Sequence, residues 1–169
     1  MKAIVAMDPY RVIGYKGRIP WHIPEDFKWF KRATMDCPLL MGHSTFDSIG
    51  KPLPGRYTYI LTNNPEKLAL PSAELCGYAS EKQVFDMPLE FRKRMWVCGG
   101  AKVYQRFLPL CDEVYVSHIM EDYEGDTYMP EFEDQFPYSE IVEEHKDFWV
   151  VKHMKYAPFP QVYGIKFVM

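Results

Sequence analysis

Asp26 is the acidic residue of this sequence whose surroundings best suit proton chemistry. Pro24-Glu25-Asp26 is typical of a first helical turn, where proline fits and acidic side chains favour the helix dipole. Trp21 precedes it, and Phe27 and Phe30 follow it. Because residues 26 and 30 share a helix face, an inward orientation would surround the carboxyl with apolar groups and raise its pKa. Such a group suits proton transfer or an amidine-like ligand edge. An exposed acid at a helix N-terminus is the alternative.

The glycine pair Gly99-Gly100 is a candidate phosphate cradle. It separates a short apolar run from a helical pattern, and glycine allows a ligand to approach the backbone at a helix N-terminus. The pair is neither a GxGxxG nor a Walker motif, and no clear ribose-binding acid follows about 20 residues later. A tight strand-to-helix turn therefore stays open as the alternative.

The segment Lys51-Pro52-Leu53-Pro54-Gly55-Arg56 predicts a rigid turn that carries two cations. The planar fork of an arginine is suited to a bidentate grip on a carboxylate. The sequence therefore indicates a candidate clamp for a ligand carboxylate, with a solvated turn as the alternative.

The elements that must position these residues alternate between strands and helices. Patterns predict strands at 2–7, 38–41, 57–61, 75–78, 95–98 and 113–119, and helices at 24–36, 44–49, 81–87 and 101–108. Such alternation favours a largely parallel sheet, and a helix-poor tail with strands near 139–144, 149–156 and 162–168 favours an antiparallel edge. The loop at 9–23 is long for a compact domain, which favours a functional role.

The composition excludes several classes of protein. The 169 residues are 47% apolar and 25% charged, the balance of one folded domain, which we expect to span 1–169. A net charge of −3 argues against nucleic-acid binding, and neither a membrane-length apolar run nor a signal-peptide pattern occurs. The four cysteines lack metal-ligand spacing, so we expect no metal and a reducing, cytoplasmic compartment.

The aromatic content favours either a rich core or a site that stacks flat ligands, with 12 Tyr, 11 Phe and 4 Trp. Many of these lie in the tail, where we expect core or edge packing rather than ligand contact: Phe148, Trp149, Tyr156, Phe159, Tyr163 and Phe167.

Several motifs follow one another in a characteristic order. They are Ile13-Gly14, Pro20-Trp21, Pro24-Glu25-Asp26-Phe27 with Trp29-Phe30-Lys31, Met41-Gly42, Ser48-Ile49-Gly50-Lys51-Pro52-Leu53-Pro54-Gly55-Arg56, Gly99-Gly100-Ala101 with Val103-Tyr104, and Glu124-Gly125-Asp126-Thr127. In this order and spacing, from residue 2 to about 130, the chain resembles the dihydrofolate reductase family. The resemblance implies an α/β domain with a mixed, mainly parallel eight-stranded sheet, about four flanking helices and an antiparallel C-terminal edge. It also implies hydride transfer from NADPH to C6 of 7,8-dihydrofolate, giving tetrahydrofolate.

The resemblance implies catalytic roles for three residues. Asp26 matches the carboxylate that binds the pterin 2-amino group and N3 and promotes protonation of N5 through water. Trp21 matches the tryptophan that holds this water, and Ser117 matches a usual threonine that supports the acid. Arg56 matches the arginine that grips the glutamate α-carboxylate. Substrate contacts are implied at Ile4, Phe27, Phe30, Lys31, Ile49, Lys51, Leu53, Arg56, Cys98 and Tyr104.

NADPH is the cofactor that the resemblance implies. Ala6 and Ile13 match backbone contacts to the nicotinamide amide, Gly99-Gly100 resembles a cis glycine pair at the pyrophosphate, and 9–23 matches a mobile lid. The implied cofactor-binding positions are Ala6, Ile13, Gly14, Gly17, Ile19, Gly42, His43, Ser44, Thr45, Leu61, Thr62, Asn63, Gly99, Gly100, Ala101, Lys102, Val103 and Tyr104.

His43 departs from the family pattern. The family usually has a fixed cation there for the 2′-phosphate of NADPH, whereas a histidine is only partly charged near neutrality. Thr62 and Asn63 add hydroxyl and amide groups but no cation, and Ala79 stands where some members have a lysine. We therefore expect a weaker or pH-dependent preference for NADPH, with NADH not excluded.

Two alternatives to this reading stay open. One is a related pteridine or flavin-precursor reductase on the same fold, and the other is a non-catalytic pterin- or nucleotide-binding protein. Asp26 with Arg56 favours a folate with its glutamate tail. The expected partners are dihydrofolate and antifolates such as trimethoprim or methotrexate, without nucleic acid or membrane, and we expect a monomer.

Overall fold

The centre of the fold is a buried parallel strand formed by the first apolar run of the chain. In the computed structural model, which describes residues 1–64 and 74–158, β1 (Lys2–Met7) pairs in parallel with β6 (Trp96–Val97) and β7 (Glu113–Ile119). Ala3, Ile4 and Val5 on β1 are buried. A strand covered on both faces needs such a continuous apolar run, which is why this strand was predictable at both ends.

After β1, the strands of the described residues are β2 (Val12–Gly14), β3 (Leu39–Gly42), β4 (Thr58–Leu61), β5 (Cys76–Ala79), β6 (Trp96–Val97), β7 (Glu113–Ile119), β8 (Thr127–Tyr128), β9 (Tyr138–Glu144) and β10 (Phe148–Met154). The described residues form one eight-stranded sheet in the order β5-β4-β3-β6-β1-β7-β10-β9. A two-stranded sheet pairs β2 with β8. The helices are α1 (Pro24–Thr34), α2 (His43–Ile49), α3 (Glu81–Asp86), α4 (Leu89–Lys93) and α5 (Ala101–Phe107).

The predicted antiparallel edge is confirmed. β10 lies between β7 and β9 and runs antiparallel to both, so it is the reversed strand of the described sheet. The other neighbouring pairs of the sheet are parallel. The mixed, mainly parallel sheet follows from the sequence pattern, because strands joined through helices run parallel and strands joined by a tight turn do not.

Two features differ from the prediction. The described residues contain five α-helices rather than about four, because α4 is only five residues long and follows α3 directly after Met87 and Pro88. The loop at 9–23 contains β2, which pairs with β8 in the distant segment near residue 127. Elements of two to five residues are too short to show a periodic pattern.

The prediction for the tail is partly tested. Phe148 is fully buried and Trp149 half-buried, as expected, but Tyr156 is 67% exposed, so its predicted packing role is wrong. Tyr156 lies two residues beyond Met154, where β10 ends. The predicted strand at 162–168, with Phe159, Tyr163 and Phe167, lies outside the described residues.

Other sequence expectations concern thiols, metals and membranes. Cys37, Cys98 and Cys111 carry free thiols. Within 1–64 and 74–158, His, Cys, Asp and Glu side chains form no group that could hold a metal ion. None of the helices in that part of the chain is long and apolar enough to cross a membrane.

Two histidines lie close together on the face formed by β7 and β10. The His118 ring stacks on Trp149 with centroids 5.3 Å apart, and the His153 ring lies 6.2 Å from His118 and 5.2 Å from Phe132. Burial lowers the pKa of both imidazoles; the charges of His153 and Arg11 add to the lowering at His118, whereas the Glu133 carboxylate opposes the lowering at both. Nε2 of His153 is buried without a hydrogen-bond partner in the described part of the chain.

We expect this histidine pair to make the fold sensitive to acid. The folded state binds these protons more weakly than the unfolded chain, whose histidines titrate near pH 6.5, so stability falls as the pH drops below about 6.5. The urea midpoint of unfolding should therefore fall less for His153→Leu than for the parent between about pH 7.5 and pH 5.5. His22→Leu, at an exposed position, is the control. Equal falls in parent and His153→Leu would contradict the assignment.

Candidate active site

Asp26 lies in the first turn of α1 with its carboxyl buried. The residue is 6% exposed, and the Ile23 carbonyl accepts the N–H groups of Asp26 at 3.1 Å and Phe27 at 3.3 Å, which starts the helix. Burial raises the pKa of Asp26, because the charged form loses hydration, while the Ser117 hydroxyl and the charge of His145 oppose the rise. Of the two interpretations left open above, the inward carboxyl is the one the structure supports.

Trp21 and Ser117 are two further buried residues of the candidate site. Ser117 is 1% exposed on β7, where it pairs with Ala6 of β1. Trp21 is 5% exposed, and its ring lies 5.3 Å from the Tyr123 ring. The indole Nε1 of Trp21 is buried and has no hydrogen-bond partner among residues 1–64 and 74–158. A buried donor without a protein partner is suited to a polar group of a ligand or to water.

An apolar cluster continues from α1 into the middle of the sheet. It contains Ile4, Phe30, Ile49, Leu53 and Cys98, which were all predicted to contact substrate. Burial raises the pKa of the Cys98 thiol strongly, so the thiol stays protonated and acts as a small apolar group. These side chains can form the walls of a site for flat rings.

The outer predicted substrate residues are more exposed. Phe27 is 39% exposed, with its ring 5.6 Å from the His22 ring. Lys31 and Lys51 are exposed, and no described carboxylate forms an ion pair with either. Their role toward a ligand stays a prediction.

Tyr104 joins α5 to the central strand. It is 3% exposed, and its hydroxyl donates a 2.6 Å hydrogen bond to the Ile4 carbonyl. Burial raises the pKa of this phenol well above its ordinary value, so the hydroxyl keeps its proton for that bond. The hydroxyl of Tyr104 is therefore engaged by the backbone of β1, and a direct contact of this residue with a ligand stays a prediction.

Arg56 is a buried cation whose described partners are neutral. It is 4% exposed, and it donates from Nε to the Pro54 carbonyl at 3.2 Å and from Nη1 to the Thr34 hydroxyl at 3.2 Å. The guanidinium lies 5.8 Å from the Phe30 ring. Burial lowers its pKa from a very high ordinary value, and an arginine still stays charged near neutrality. Since a buried charge is costly without a partner, this arrangement suits a ligand carboxylate.

The backbone around Gly99 and Gly100 forms a narrow cradle. The peptide bond between them is cis, as the resemblance implied, and the Gly42 N–H donates 2.8 Å to the Gly99 carbonyl. A Cβ at Gly100 would lie 3.1 Å from Thr45 Oγ1, and one at Gly42 would lie 3.2 Å from Val103 Cγ2. Gly100 is also the N-cap of α5, so unpaired N–H groups of that helix open toward the cradle. The residues present therefore fit an anionic group such as a pyrophosphate.

His43 stands at the position where the resemblance implies a fixed cation for the 2′-phosphate of NADPH, and a histidine is not a fixed cation. His43 Nδ1 lies 3.0 Å from Asp47 Oδ2, and its ring stacks on Tyr78 with centroids 5.8 Å apart. Of the other predicted residues here, Ser44 and Asn63 are exposed, Leu61 and Thr62 half-buried, and Thr62 Oγ1 accepts the Asn64 N–H at 3.2 Å. Lys102 is exposed on α5, next to half-buried Ala101.

The loop at 9–23 lies against the segment between β7 and β8. Asp126 Oδ2 accepts the Lys16 N–H at 2.8 Å, and the Asp126 N–H donates to the Gly14 carbonyl at 3.0 Å. Ile13 and Gly14 are half-buried, whereas Gly17, with φ of 76°, and Ile19, 48% exposed, lie on the outside. We call residues 9–23 the lid.

Sequence reasoning missed the residues that hold the lid in place. Tyr123 packs on Trp21 and Asp126 binds Lys16, both across more than 100 positions of sequence, and Asp8 joins the start of the lid to Tyr123. The motif Tyr123-Glu124-Gly125-Asp126-Thr127 is typical only of a turn, so pairing it with the lid required the fold. The Glu124-Gly125-Asp126-Thr127 part of the resemblance was the one signal available.

The dihydrofolate reductase family model matches residues 1–157 of the chain. The chain belongs to the dihydrofolate reductase family. Dihydrofolate reductase of Bacillus subtilis (strain 168) is 36% identical over 132 residues, which cover 78% of this chain and 76% of that protein. Dihydrofolate reductase HdrB of Haloferax volcanii is 37% identical over 139 residues, covering 77% of this chain and 70% of that protein.

A solved dihydrofolate reductase has the same fold. The enzyme from Enterococcus faecalis, complexed with NADP(H) and RAB-propyl, superposes with a TM-score of 0.71 at 32% identity. The match covers 90% of this chain and 92% of that one. The family and the fold that the motifs implied are therefore confirmed.

Proposed function

We infer that this chain catalyses the NADPH-dependent reduction of 7,8-dihydrofolate to tetrahydrofolate, with Asp26 as the residue that governs protonation of N5. The observation that carries the proposal is the buried Asp26 carboxyl, whose pKa burial raises; the buried Trp21 indole N–H without a described protein partner supports it. A pterin presents a 2-amino group and N3–H side by side, and the two oxygens of a carboxylate accept such a pair.

Asp26, Trp21 and Ser117 would act together on the proton. The carboxylate orients the pterin, and its negative charge raises the affinity of the ring for a proton at N5. The Trp21 indole N–H is available to hold the water that delivers it, and the Ser117 hydroxyl supports the carboxylate. A general acid needs a pKa closer to neutrality than that of an ordinary aspartate, and burial moves Asp26 in that direction.

The rest of the substrate would extend from Asp26 toward Arg56. Phe30, Ile49 and Leu53 supply apolar contacts for the rings. The buried Arg56 guanidinium supplies the cation for the α-carboxylate of the glutamate tail. This arrangement favours a folate over a flavin precursor, which has no such carboxylate.

Residues at the carboxyl ends of the central strands would hold NADPH, which would supply the hydride to C6. The Gly99-Gly100 cradle with α5 suits the pyrophosphate, and the backbone of Ala6 and Ile13 suits the nicotinamide amide. The lid, held by Asp126, excludes water while the hydride moves.

His43 sets the preference between NADPH and NADH in this proposal. A histidine is not a fixed cation, and Asp47 Oδ2, 3.0 Å from His43 Nδ1, offsets the positive charge that a protonated ring would present to a 2′-phosphate. His43→Arg should raise the ratio of kcat/KM for NADPH to that for NADH by about tenfold, the effect of one added charge-assisted contact. The ratio is measured at one pH for both proteins, with Arg18→Lys, at an exposed lid position, as the control. No rise in the ratio, with both proteins folded, would refute this role.

We also propose a monomer, located in the cytoplasm, with one domain over residues 1–169. Trimethoprim or methotrexate should compete with dihydrofolate, because a protonated diaminopyrimidine edge pairs with a carboxylate.

A direct test follows NADPH absorbance with dihydrofolate, with a flavin-precursor pyrimidine in a parallel reaction. Robust turnover of dihydrofolate alone supports the proposal. Binding of both ligands without turnover would favour the non-catalytic alternative, and turnover of the pyrimidine alone would favour the flavin-precursor reductase.

A further inference from the structure

Asp8 is a buried carboxylate at the point where the central strand ends and the lid begins. The residue is 1% exposed. Its Oδ1 accepts the backbone N–H groups of Tyr10 at 2.9 Å and Val12 at 2.8 Å, and its Oδ2 accepts the Tyr123 N–H at 3.0 Å. A carboxylate only accepts hydrogen bonds, so it can serve three donors at once. Asp8 therefore joins two segments that lie 115 positions apart in the sequence.

Each of the two carboxylate oxygens of Asp8 binds a different one of these segments. Oδ1 holds the root of the lid, and Oδ2 holds the segment between β7 and β8 at Tyr123. Val12 is 2% exposed, and its side chain lies so close to Gly125 that any Cβ there would clash with it. The carboxylate and this packing contact thus lock the same pair of segments.

Tyr123 connects this junction to the candidate active site. Its ring lies 5.3 Å from the ring of Trp21, and Val12 belongs to the same apolar cluster as Trp21. The hydroxyl of Tyr123 points elsewhere, to Glu121 at 3.2 Å, so the ring supplies the contact with Trp21. The orientation of the Trp21 indole therefore depends on where the Tyr123 backbone is held.

We propose that Asp8 is a positioning residue for the reaction, which fixes Tyr123 and the lid root together and so holds the indole N–H of Trp21 in the site. This rests on the proposed role of Trp21. The junction differs from the Asp126 contact, which holds the lid at Gly14 and Lys16, beyond the root. With the root held by Asp8 and Trp21 packed on Tyr123, opening of the lid is confined to the residues between β2 and Trp21.

The substitution Asp8→Asn tests this directly. Asparagine has one carbonyl oxygen, and its NH2 group would face a backbone N–H on the other side, so one of the two segments is released. We expect the rate of hydride transfer to fall about tenfold, the usual effect of one lost buried hydrogen bond to a charged group. The KM for dihydrofolate should change by less than about twofold, since Asp8 touches no predicted substrate residue.

The structural readout is the Trp21 indole itself. By NMR without substrate, the Nε1–H of Trp21 should exchange faster with solvent in Asp8→Asn, while that of Trp29, also buried without a described partner, should not change. Asp122→Asn makes the same chemical change at the exposed position next to Tyr123 and should leave both the rate and the exchange unaltered. Unchanged Trp21 exchange in folded Asp8→Asn would overturn the proposal.

A second variant keeps the test valid if Asp8→Asn does not fold. Tyr123→Ala removes the ring and leaves the carboxylate, so it should also speed the exchange of Trp21 and slow hydride transfer. In the double variant the two rate losses should fall short of the sum of the single losses, because both act on Trp21. Fully additive losses, or normal exchange in Tyr123→Ala, would overturn the proposal. Wild-type turnover of dihydrofolate tests the proposed function separately.

Discussion

Asp26→Asn should lose about two orders of magnitude in turnover of dihydrofolate at neutral pH, the usual contribution of a positioned acid or base. Asparagine fills the same space but has no negative charge to stabilise a proton on N5, and it presents an NH2 group to a pterin that itself donates at N3 and the 2-amino group. Turnover is followed as loss of NADPH absorbance with both substrates saturating.

The pH dependence separates this role from a purely structural one. Burial raises the pKa of Asp26, so the site keeps the proton destined for N5 to a higher pH than an ordinary aspartate would allow, and the parent should lose activity only toward alkaline pH, where that proton is lost. The variant should instead gain activity steadily toward acid, where solvent protonates N5 without help.

Glu25→Gln is the matched control for Asp26→Asn. Glu25 precedes Asp26 in the same helical turn but is exposed and pairs with Lys28. We expect turnover of Glu25→Gln within about twofold of the parent, the scale of an exposed ion pair. Equal turnover by folded Asp26→Asn and the parent would refute the role of Asp26.

Arg56→Leu should raise the KM for dihydrofolate about a hundredfold with a much smaller change in kcat. A bidentate contact between a guanidinium and a carboxylate contributes roughly 3 kcal/mol when both charges are withdrawn from water. The carboxylate lies far from C6 and N5, so its loss weakens binding of the ground state and the transition state alike. Steady-state kinetics over a range of dihydrofolate concentrations give the two constants separately.

A shortened substrate is the control for Arg56. A dihydropterin without the aminobenzoylglutamate tail should be reduced with the same kcat/KM by Arg56→Leu and the parent, because this substrate has no carboxylate for Arg56 to bind. Thermal unfolding without ligands should show no loss of stability, since Arg56 has only neutral partners in the described chain. An equal rise in KM for both substrates would assign Arg56 to the shape of the pocket rather than to the tail.

The parts of the fold and site that follow from sequence are those with a local signal. β1 was predicted at both ends because a strand buried on both faces is a continuous apolar run. The start of α1 was predicted because Pro24 and the acids after it suit a first turn. The sequence predicts burial of Asp26 only on the condition that its helix face points inward, because burial depends on what packs against that turn.

The parts of the fold and the site that could not be predicted from the sequence are contacts between distant segments. β2 and β8 are two or three residues long and stabilise each other only as a pair. The proline-rich turn of Arg56 left two alternatives open, a carboxylate clamp or a solvated turn, because the burial of Arg56 depends on its contact with Thr34 at the end of α1. The motifs predicted these positions through their resemblance to a family, not through any property of their own segment.

The junction between the lid and the segment before β8 has a consequence for exchanging parts between relatives. Arg11 donates from Nε to the Met129 carbonyl at 3.0 Å, which adds a further contact to those of Asp8, Val12 and Asp126. A lid transplanted alone from a relative would meet a foreign loop at each contact and leave buried donors unpaired. Residues 8–18 and 121–129 therefore depend on each other's contacts, and an active chimera must take both segments from the same parent protein.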